Sequence, residues 1–385
     1  MRSMFFFLIF FVGLYFGACF YIYTRMRCCM PLANTGWGIA VRILYIVLCA
    51  SFFAGFALQR NHLVLSQPFV TTGNWMLAAA LYLFLIFLVI DIARGINAFT
   101  FKAEWLTFRY KPGDAKAELF ATVGGIVCAL ILIIGYFNAH NPTRREITLH
   151  TNKNIERPFK FVLISDVHLG QVNGDKFFNT LANRINAEDA DFVVIAGDFF
   201  DGNPTPVLYS HADSILRTIN TRYGIYAVNG NHEWIGDVYT ADEFMKKNSV
   251  TVLRDSTAQL PLGVTIIGRE DRSAGPYPAG KRTGRKPFET IVENIDHTNY
   301  LINVDHQPYH LEEAEQAGID LQLSGHTHHG QLWPLNFLTS AIYECSFGQH
   351  RRSNTDYYVS SGYGTWGPPI RTTCRPEMVV VNVEK

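Results

Sequence analysis

The sequence predicts a layered α/β domain preceded by four transmembrane α-helices. Apolar segments with little or no charge, each about as long as a bilayer-spanning helix of about 20 residues, are confined to the first 140 residues. Beyond residue 141, short apolar runs typical of buried strands alternate with segments of helical periodicity. Nearly every one of those runs ends in a cluster of Asp, His or Asn side chains. These observations divide the chain into an apolar N-terminal part and an α/β C-terminal part.

Charge and cysteine content change at the same place. The net charge is zero, yet residues 1–140 hold 10 Lys and Arg against 4 Asp and Glu. The 23 basic and 29 acidic residues that remain give the second part a slightly acidic character, without a run of like charge. This balance disfavours nucleic acid as the main partner. Only Cys345 and Cys374 lie in the second part. Two cysteines are too few for a disulfide framework, and whether they form a bridge stays open.

Four segments are predicted to cross the bilayer. Two contain no charged residue, and the other two carry only Arg42 or Asp91, each near an end of its span. The first resembles a signal peptide, but it lacks a small-residue cleavage site and three further spans follow it. The spans are Met4–Tyr23, Trp37–Leu58, Asn74–Ile92 and Leu119–Phe137. The predicted domains are a membrane anchor at 1–140, a connector at 141–157 and a globular domain at 158–385.

Lys and Arg residues near the span ends predict which side of the bilayer each loop faces. The loops after the first and third spans hold seven of these residues, whereas the N-terminus and the second loop hold two. Because loops rich in Lys and Arg stay in the cytoplasm, the globular domain is predicted on the extracytoplasmic side of a multi-pass protein. Four basic residues just beyond the last span weaken the asymmetry: Arg144, Arg145, Lys153 and Arg157.

The spans themselves are predicted to anchor the chain in the lipid bilayer. Ionisable residues inside a membrane indicate transport pathways, and only Arg42 and Asp91 qualify here. The alternative is a membrane sensor or transporter-like protein in which the globular domain is secondary or only binds a ligand.

The second part is predicted to form an α/β layered sheet. Three helices are expected at Lys176–Asn186, Val207–Ile219 and Ala241–Lys247. In such folds the chemistry collects at the carboxyl ends of the strands. The predicted strands are Ile147–His150, Phe159–Ile164, Phe192–Ala196, Ile225–Val228, Val264–Ile267, Tyr300–Val304, Leu321–Leu323, Tyr357–Val359 and Met378–Val383.

Five polar motifs follow five of those strands. They offer carboxylate, amide and imidazole ligands but no thiolate, a mixture suited to Mn, Fe, Zn or similar ions. In Asp-x-His and His-x-His, alternate side chains of an extended chain lie on the same side. The motifs are Asp166-Val167-His168, Gly197-Asp198-Phe199-Phe200-Asp201, Gly230-Asn231-His232-Glu233, Asp305-His306 and Gly325-His326-Thr327-His328.

These motifs, in this order, resemble those of the calcineurin-like metallophosphoesterase family. The resemblance covers Pro158–Lys385 and implies a four-layer αββα sandwich. It further implies a hydrolase of phosphomonoester, phosphodiester or pyrophosphate bonds that uses two divalent metal ions. By resemblance, three residues hold the first ion, three hold the second and Asp198 bridges them. The first set is Asp166, His168 and His328, and the second is Asn231, His306 and His326.

The resemblance also implies the remaining roles in the reaction. A metal-bound hydroxide attacks phosphorus, while His232 protonates the leaving oxygen and Asp201 orients its imidazole. Arg371 is a candidate phosphate contact, with a surface ion pair as the alternative. His329 is expected either to line the pocket or to face solvent. Gly202 stands where protein Ser/Thr phosphatases of this family carry Arg, so the chain is more similar to membrane-anchored bacterial phosphodiesterases.

Two further segments bear on the substrate. Arg269–Lys286 is rich in Arg and Lys and is interpreted either as a mobile clamp for a second phosphate or headgroup, or as a solvated loop. Leu332–Leu338 is apolar, and it suits either the core or a lip at the membrane interface. An anchored active site with an apolar lip suggests a lipid-linked substrate, with a phosphorylated small molecule as the other class. The predicted outward topology argues against a cytoplasmic nucleotide-linked lipid.

Overall fold

The structure, a computed structural model, describes residues 2–30, 35–59, 63–275 and 284–385, with residues 2–9 and 63 described by backbone alone. The chain divides into two compact units, Met1–Tyr136 and Phe137–Lys385.

The first unit consists of long apolar helices. In the described part of the chain, three helical segments are long and apolar enough to cross a membrane: Gly36–Gln59, Val64–Phe99 and Ala115–Ala139. They include the second, third and fourth predicted spans. The first predicted span lies within a helix whose opening residues fall outside the described side chains, so the structure gives three candidate spans instead of four. The helices are α1 (Arg2–Met26), α2 (Gly36–Gln59), α3 (Leu63–Phe99) and α4 (Ala115–Ala139).

The two ionisable residues of the predicted spans have polar partners. Asp91 forms ion pairs with Arg25 at 2.7 Å and with Arg94 at 2.9 Å. Arg42 donates to the hydroxyl of Tyr23 at 3.0 Å. Paired charges of this kind are compatible with an anchoring role.

The first sheet of the second unit has six strands in the order β1-β12-β2-β3-β4-β5. All neighbours are parallel except β12 and β2, which run antiparallel. The outer face of this sheet packs against helices through a core that includes Phe178, Leu181, Val193 and Phe244. The strands are β1 (Thr143–His150), β2 (Phe159–Ile164), β3 (Phe192–Ala196), β4 (Ile225–Val228), β5 (Val250–Val252) and, from the C-terminus, β12 (Glu377–Glu384). The helices along this part of the chain are α5 (Asp175–Asn186), α6 (Thr205–Leu208), α7 (Ala212–Leu216), α8 (Asn231–Ile235) and α9 (Val238–Lys247).

The second sheet also has six strands, in the order β10-β11-β9-β8-β7-β6. Its inner strands β11, β9, β8 and β7 are parallel, and both edge strands pair antiparallel. These strands are β6 (Ser256–Leu260), β7 (Val264–Gly268), β8 (Tyr300–Val304), β9 (Leu321–Ser324), β10 (Gly348–Arg352) and β11 (Thr355–Val359). The helices along this part are α10 (Phe288–Val292), α11 (Leu311–Gln316) and α12 (Leu335–Ile342).

The two sheets face each other across a shared apolar core. Phe161 and Val381 of the first sheet belong to the same buried cluster as Ile266 and Leu323 of the second. The far side of the second sheet packs against α10 and α11 through residues such as Leu311. The order of layers is therefore helices, sheet, sheet, helices, the α/β sandwich that the resemblance implied.

All nine predicted strands are present, and the remaining differences have local causes. Residues 141–157, predicted as a connector, contain β1, which pairs with β12 over eight residues and so belongs to the first sheet. The predicted helix Val207–Ile219 is split into α6 and α7, and the backbone amide of His211 between them donates to Asp175 at 3.0 Å. Strands β5, β6 and β10 are absent from the prediction, because β5 has only three residues and the other two consist largely of polar residues without an apolar run. Among the described residues, Cys345 and Cys374 are both free thiols.

Candidate metal centre

All five polar motifs lie at carboxyl ends of parallel strands, where the two sheets bring them together. β2, β3 and β4 deliver the first three motifs, and β8 and β9 deliver the last two. Three groups of three His or Asp residues have ligand atoms within 4.8 Å of one another in the described part of the chain. The predicted ligands therefore converge on one buried region, as expected for loops that follow parallel strands.

The backbone around these ligands has unusual conformations. Asp166, His168, Asp198 and His328 have φ angles between 46° and 51°, a region that residues other than glycine rarely occupy. Such conformations cost about 1–3 kcal/mol each and persist where surrounding contacts fix them. The amide of Asp166 donates to the carbonyl of Gly197 at 3.0 Å, which ties the first two motifs together.

Glycine is required where the motif loops approach one another. A Cβ atom on Gly230 would lie 2.2 Å from Oδ1 of Asp198, and one on Gly325 would lie 2.2 Å from Oδ2 of Asp166. Any other residue at either position would displace a candidate ligand.

The first ligand cluster joins Asp166, His168 and His328. Nε2 of His328 lies 3.2 Å from Oδ1 of Asp166 and 3.1 Å from Nε2 of His168. All three side chains are buried. The carboxylate of Asp166 also accepts the amide of His326 at 3.0 Å, so its orientation is fixed by the backbone of the last motif.

The second ligand cluster joins Asn231, His306 and His326 to Asp198. Oδ1 of Asn231 lies 2.7 Å from Nδ1 of His326 and 3.3 Å from Nε2 of His306. Nε2 of His306 also lies 3.1 Å from Oδ2 of Asp198. The other ring nitrogen of His306 lies 2.7 Å from the carbonyl of Ala196, a contact that orients the ring when Nδ1 carries the proton.

Asp198 lies between the two clusters. Its Oδ2 atom is 3.1 Å from His306 and 3.9 Å from Nε2 of His168 in the first cluster. Its Oδ1 atom accepts the amide of His232 at 2.8 Å. A single carboxylate thus faces ligand atoms on both sides.

The donor set fits divalent metal ions. Nε2 of His168 and Nε2 of His328 are buried and lie 3.1 Å apart beside the carboxylate of Asp166. When neither nitrogen carries a hydrogen, the two cannot hydrogen-bond to each other, and both lone pairs are available to a cation. The mixture of imidazole nitrogens with carboxylate and amide oxygens suits Mn, Fe or Zn. The residues of both clusters are therefore able to hold metal.

Asp201 and His232 form a pair beside the clusters. Oδ1 of Asp201 lies 3.3 Å from Nδ1 of His232. Burial opposes a charge on His232, but the Asp198 and Asp201 carboxylates outweigh it and raise the pKa of His232 to about 9. Burial likewise opposes ionisation of Asp201, and the two neighbouring imidazoles hold its pKa well below the usual range. His232 remains partly exposed, so a substrate atom can reach it.

Comparison with known proteins supports this assignment. The model of the calcineurin-like phosphoesterase family matches residues 159–330, which include all five motifs. An uncharacterised metallophosphoesterase of Aquifex aeolicus is 31% identical over 230 residues, which are 58% of this chain and 85% of that protein. The chain belongs to the calcineurin-like phosphoesterase family. Its second unit is a metal-dependent phosphoesterase domain, as the motifs predicted.

Two further relatives extend the similarity into the apolar part. An uncharacterised metallophosphoesterase of Campylobacter jejuni is 28% identical across 97% of both chains. A Bos taurus protein described as a transmembrane protein with metallophosphoesterase domain is 30% identical over 68% of this chain and 62% of its own length. The apolar helices of this chain and its similarity to a protein named as transmembrane both indicate membrane association.

Glu233 stabilises the backbone of the second and third motifs. Its buried carboxylate accepts the amides of Asp198 at 3.1 Å, Phe200 at 2.9 Å and Gly230 at 2.7 Å. Burial, with the Asp198 charge, raises the pKa of Glu233 to about 7. This side chain fixes the second motif against the third.

Arg371, the candidate phosphate contact, is fully buried in the domain. Its Nη2 atom lies 2.9 Å from Nδ1 of His328 and donates to the carbonyl of Gly364 at 2.7 Å. Among the described residues, no carboxylate lies within salt-bridge distance of its guanidinium. Arg371 therefore lies behind a candidate ligand in the structure, whereas a direct contact with substrate stays a prediction.

His329, the other candidate substrate contact, is half-buried and its ring lies 5.0 Å from that of Phe347. Sequence reasoning did not single out two aromatic residues near the site. Trp366, 46% exposed, lies 6.5 Å from His232 between ring centroids, and Tyr343 lies 6.1 Å from His326. The glycine-rich segment around Trp366 was the available signal, but only the fold brings it to His232.

The basic segment Arg269–Lys286 is anchored at both ends. Arg285 forms an ion pair with Asp305 at 2.5 Å, and Arg269 forms one with Glu313 at 3.1 Å. Both arginines are therefore paired with carboxylates of the domain itself. Lys281 and Arg282 lie outside the described residues.

Part of the apolar segment Leu332–Leu338 is buried in the core, and the larger part is exposed. Leu332 is buried, but Trp333, Phe337 and Leu338 are exposed. Most of the segment thus forms a lip at the surface, directly after the last candidate ligand.

Proposed function

We propose that the chain is a membrane-anchored, dinuclear phosphoesterase that hydrolyses a phosphoester or pyrophosphate bond of a lipid-linked substrate. The observation that carries the proposal is the pair of nitrogen and oxygen clusters that share Asp198. Asp166, His168 and His328 would hold one ion, and Asn231, His306 and His326 the other. Bound divalent ions supply an activated water near neutral pH and offset charge on the phosphoryl oxygens.

The chain's own residues supply the proton for the leaving group. The Asp198 and Asp201 carboxylates favour the protonated form of His232. The imidazole is held by Asp201 at 3.3 Å and remains partly exposed. We therefore assign His232 as the general acid and Asp201 as the residue that positions it.

The lipid-linked class is supported by anchoring and by the rim of the site. Three candidate spans precede the domain in the described chain. Trp366 presents an exposed indole beside His232, a suitable wall for an apolar group next to a phosphate. A soluble substrate would require neither feature.

A substrate panel tests the proposal on the full chain. Rates are measured with added Mn²⁺ in detergent and in liposomes, on an aryl phosphomonoester, an aryl phosphodiester, a soluble nucleotide and a lipid-linked pyrophosphate. We expect metal-dependent hydrolysis and a preference for the lipid-linked compound. Equal rates on lipid-linked and soluble compounds would contradict the lipid assignment but leave the phosphoesterase intact. Asp198→Asn should abolish activity, whereas the exposed Asp213→Asn serves as the matched control.

The multi-pass topology and the extracytoplasmic position of the domain are part of the same proposal. Loop charges support them. Protease added to intact cells should digest the phosphoesterase domain. Digestion only after permeabilisation would place the domain in the cytoplasm.

A further inference from the structure

Helix α12, beside the metal centre, exposes its large apolar side chains to solvent. Leu335, Phe337 and Leu338 are 40, 65 and 58% exposed, and Ile342 at the end of the helix is 51% exposed. The polar Asn336 and Thr339 are half-buried, and Ser340 is exposed. No residue of α12, all of which are described, is buried. A surface helix of a water-soluble domain normally shows the opposite pattern.

Contacts with the domain fix which side of this segment faces outward. A Cβ atom on Gly330 would lie 2.3 Å from the amide nitrogen of Asn336, so the start of the helix packs closely on the preceding loop. The amide of Trp333 donates to the hydroxyl of Thr372 at 2.8 Å. The hydroxyl of Ser340 lies 3.3 Å from that of Ser346. These contacts attach the segment to the domain, while its large apolar side chains stay exposed.

The exposed apolar side chains lie close together along the chain. Trp333, Leu335, Phe337, Leu338 and Ile342 lie within ten residues, and residues 330–343 contain no Asp, Glu, Lys or Arg. Contiguous apolar surface of this kind marks an interaction site, whereas single exposed apolar residues are ordinary. Tyr209, which is 84% exposed and remote in sequence, provides a comparison within the same domain.

The connection to the last candidate span indicates what covers this surface. Helix α4 ends at Ala139 and β1 begins at Thr143. Residues 140–142 form the whole link, and each residue extends the chain by at most about 3.6 Å. Indole and aliphatic side chains on an uncharged helix suit the interfacial layer of a membrane.

We propose that Trp333 and α12 insert into the interface of the bilayer that the chain's own helices cross. The occupant is the lipid surface itself, independent of which substrate is hydrolysed. Since Trp333 follows the last candidate ligand, His328, by five residues and Tyr343 after the helix lies beside His326, insertion would hold the metal centre close to lipid headgroups.

Photo-crosslinking to lipid tests this contact on the full chain. The protein is reconstituted in phosphatidylcholine liposomes that contain a phosphatidylcholine with a diazirine on its acyl chain, irradiated, digested and analysed by mass spectrometry. We expect lipid adducts on the peptide that contains residues 333–342 and on the candidate spans. The peptide that contains Tyr209 should carry none.

Two variants separate insertion from chance contact. Phe337→Ser with Leu338→Ser should lower adduct yield on 333–342 by at least about fivefold, because the apolar area that favours insertion is removed. Tyr209→Ser should leave it unchanged. Adducts on the spans without any on 333–342 would overturn the proposal. It would also fail if Phe337→Cys chains gave a disulfide-linked dimer without lipid adducts, since a second copy would then cover α12.

Discussion

Nδ1 of His232 lies 3.3 Å from Oδ1 of Asp201, and the same oxygen lies 3.4 Å from Nδ1 of His168. One carboxylate therefore contacts both the proposed general acid and a candidate metal ligand. Because an ionised carboxylate only accepts hydrogen bonds, it favours the tautomer of each ring that carries its hydrogen on Nδ1. This arrangement links the orientation of the acid to the orientation of the ligand.

Asp201→Asn should lower kcat by about 100-fold or more, because general acid catalysis typically contributes 10²–10⁴-fold. The loss should be larger for an alkyl phosphodiester, whose leaving group needs a proton, than for a nitrophenyl ester. The measurement is kcat for both substrates with metal content recorded alongside. An equal loss on both substrates would contradict the role of Asp201 in positioning the acid.

Asp198→Asn should reduce bound metal as well as activity. The neutral amide replaces the carboxylate that faces both clusters, so two dications would lose the charge that screens their repulsion. Metal content per chain, measured by mass spectrometry after Mn²⁺ loading and desalting, should fall below that of the unmodified protein. Asp213→Asn, on the surface, should retain full metal content.

Glu233→Ala should destabilise the phosphoesterase domain. Three backbone amides would lose their acceptor, and a buried unsatisfied polar group costs about 1–3 kcal/mol. Thermal unfolding in detergent should therefore begin at a lower temperature. The unfolding temperature of Glu233→Gln, which keeps one acceptor oxygen, should lie between those of the unmodified protein and the Ala variant. Unchanged unfolding of the Ala variant would show that the amides find other partners.

Arg371→Met should weaken metal binding, because the guanidinium holds the ring of His328 and the loop at Gly364 in place. The variant removes the guanidinium that lies 2.9 Å from His328 while keeping an unbranched side chain. Mn²⁺ affinity is measured by titration. The exposed Arg351→Met is the matched control. If metal affinity is retained and only KM rises, Arg371 contacts substrate instead.

Titration with Mn²⁺ should raise the unfolding temperature of the unmodified chain. A ligand that binds only the folded state at 100 times its Kd stabilises that state by about 2.7 kcal/mol. Chelation should reverse the shift, and Asp198→Asn should reduce it. A shift that is the same in both proteins would place the effect outside the ligand clusters.

The local sequence is sufficient to predict the elements that build the ligand site. Strands β2, β3, β4 and β8 agree residue for residue with the apolar runs that predict them, because a buried strand needs only a short continuous apolar segment. The ligand residues are readable because their motifs follow those strands directly. The roles of the individual residues in the reaction remain predictions from the resemblance.

The sequence by itself determined the family, the ligand-bearing motifs, the alternation of strands with helices and the apolar helices of the first part. Only the tertiary structure decided that β1 joins the first sheet, that Arg285 pairs with Asp305 and that Arg371 lies buried behind His328. It also decided that α12 turns its apolar side outward. The physical reason is the distance along the chain over which each feature is set. Periodicity reflects the burial pattern of a single element, whereas the partner of a charge or the exposure of a helix face depends on segments far away in sequence.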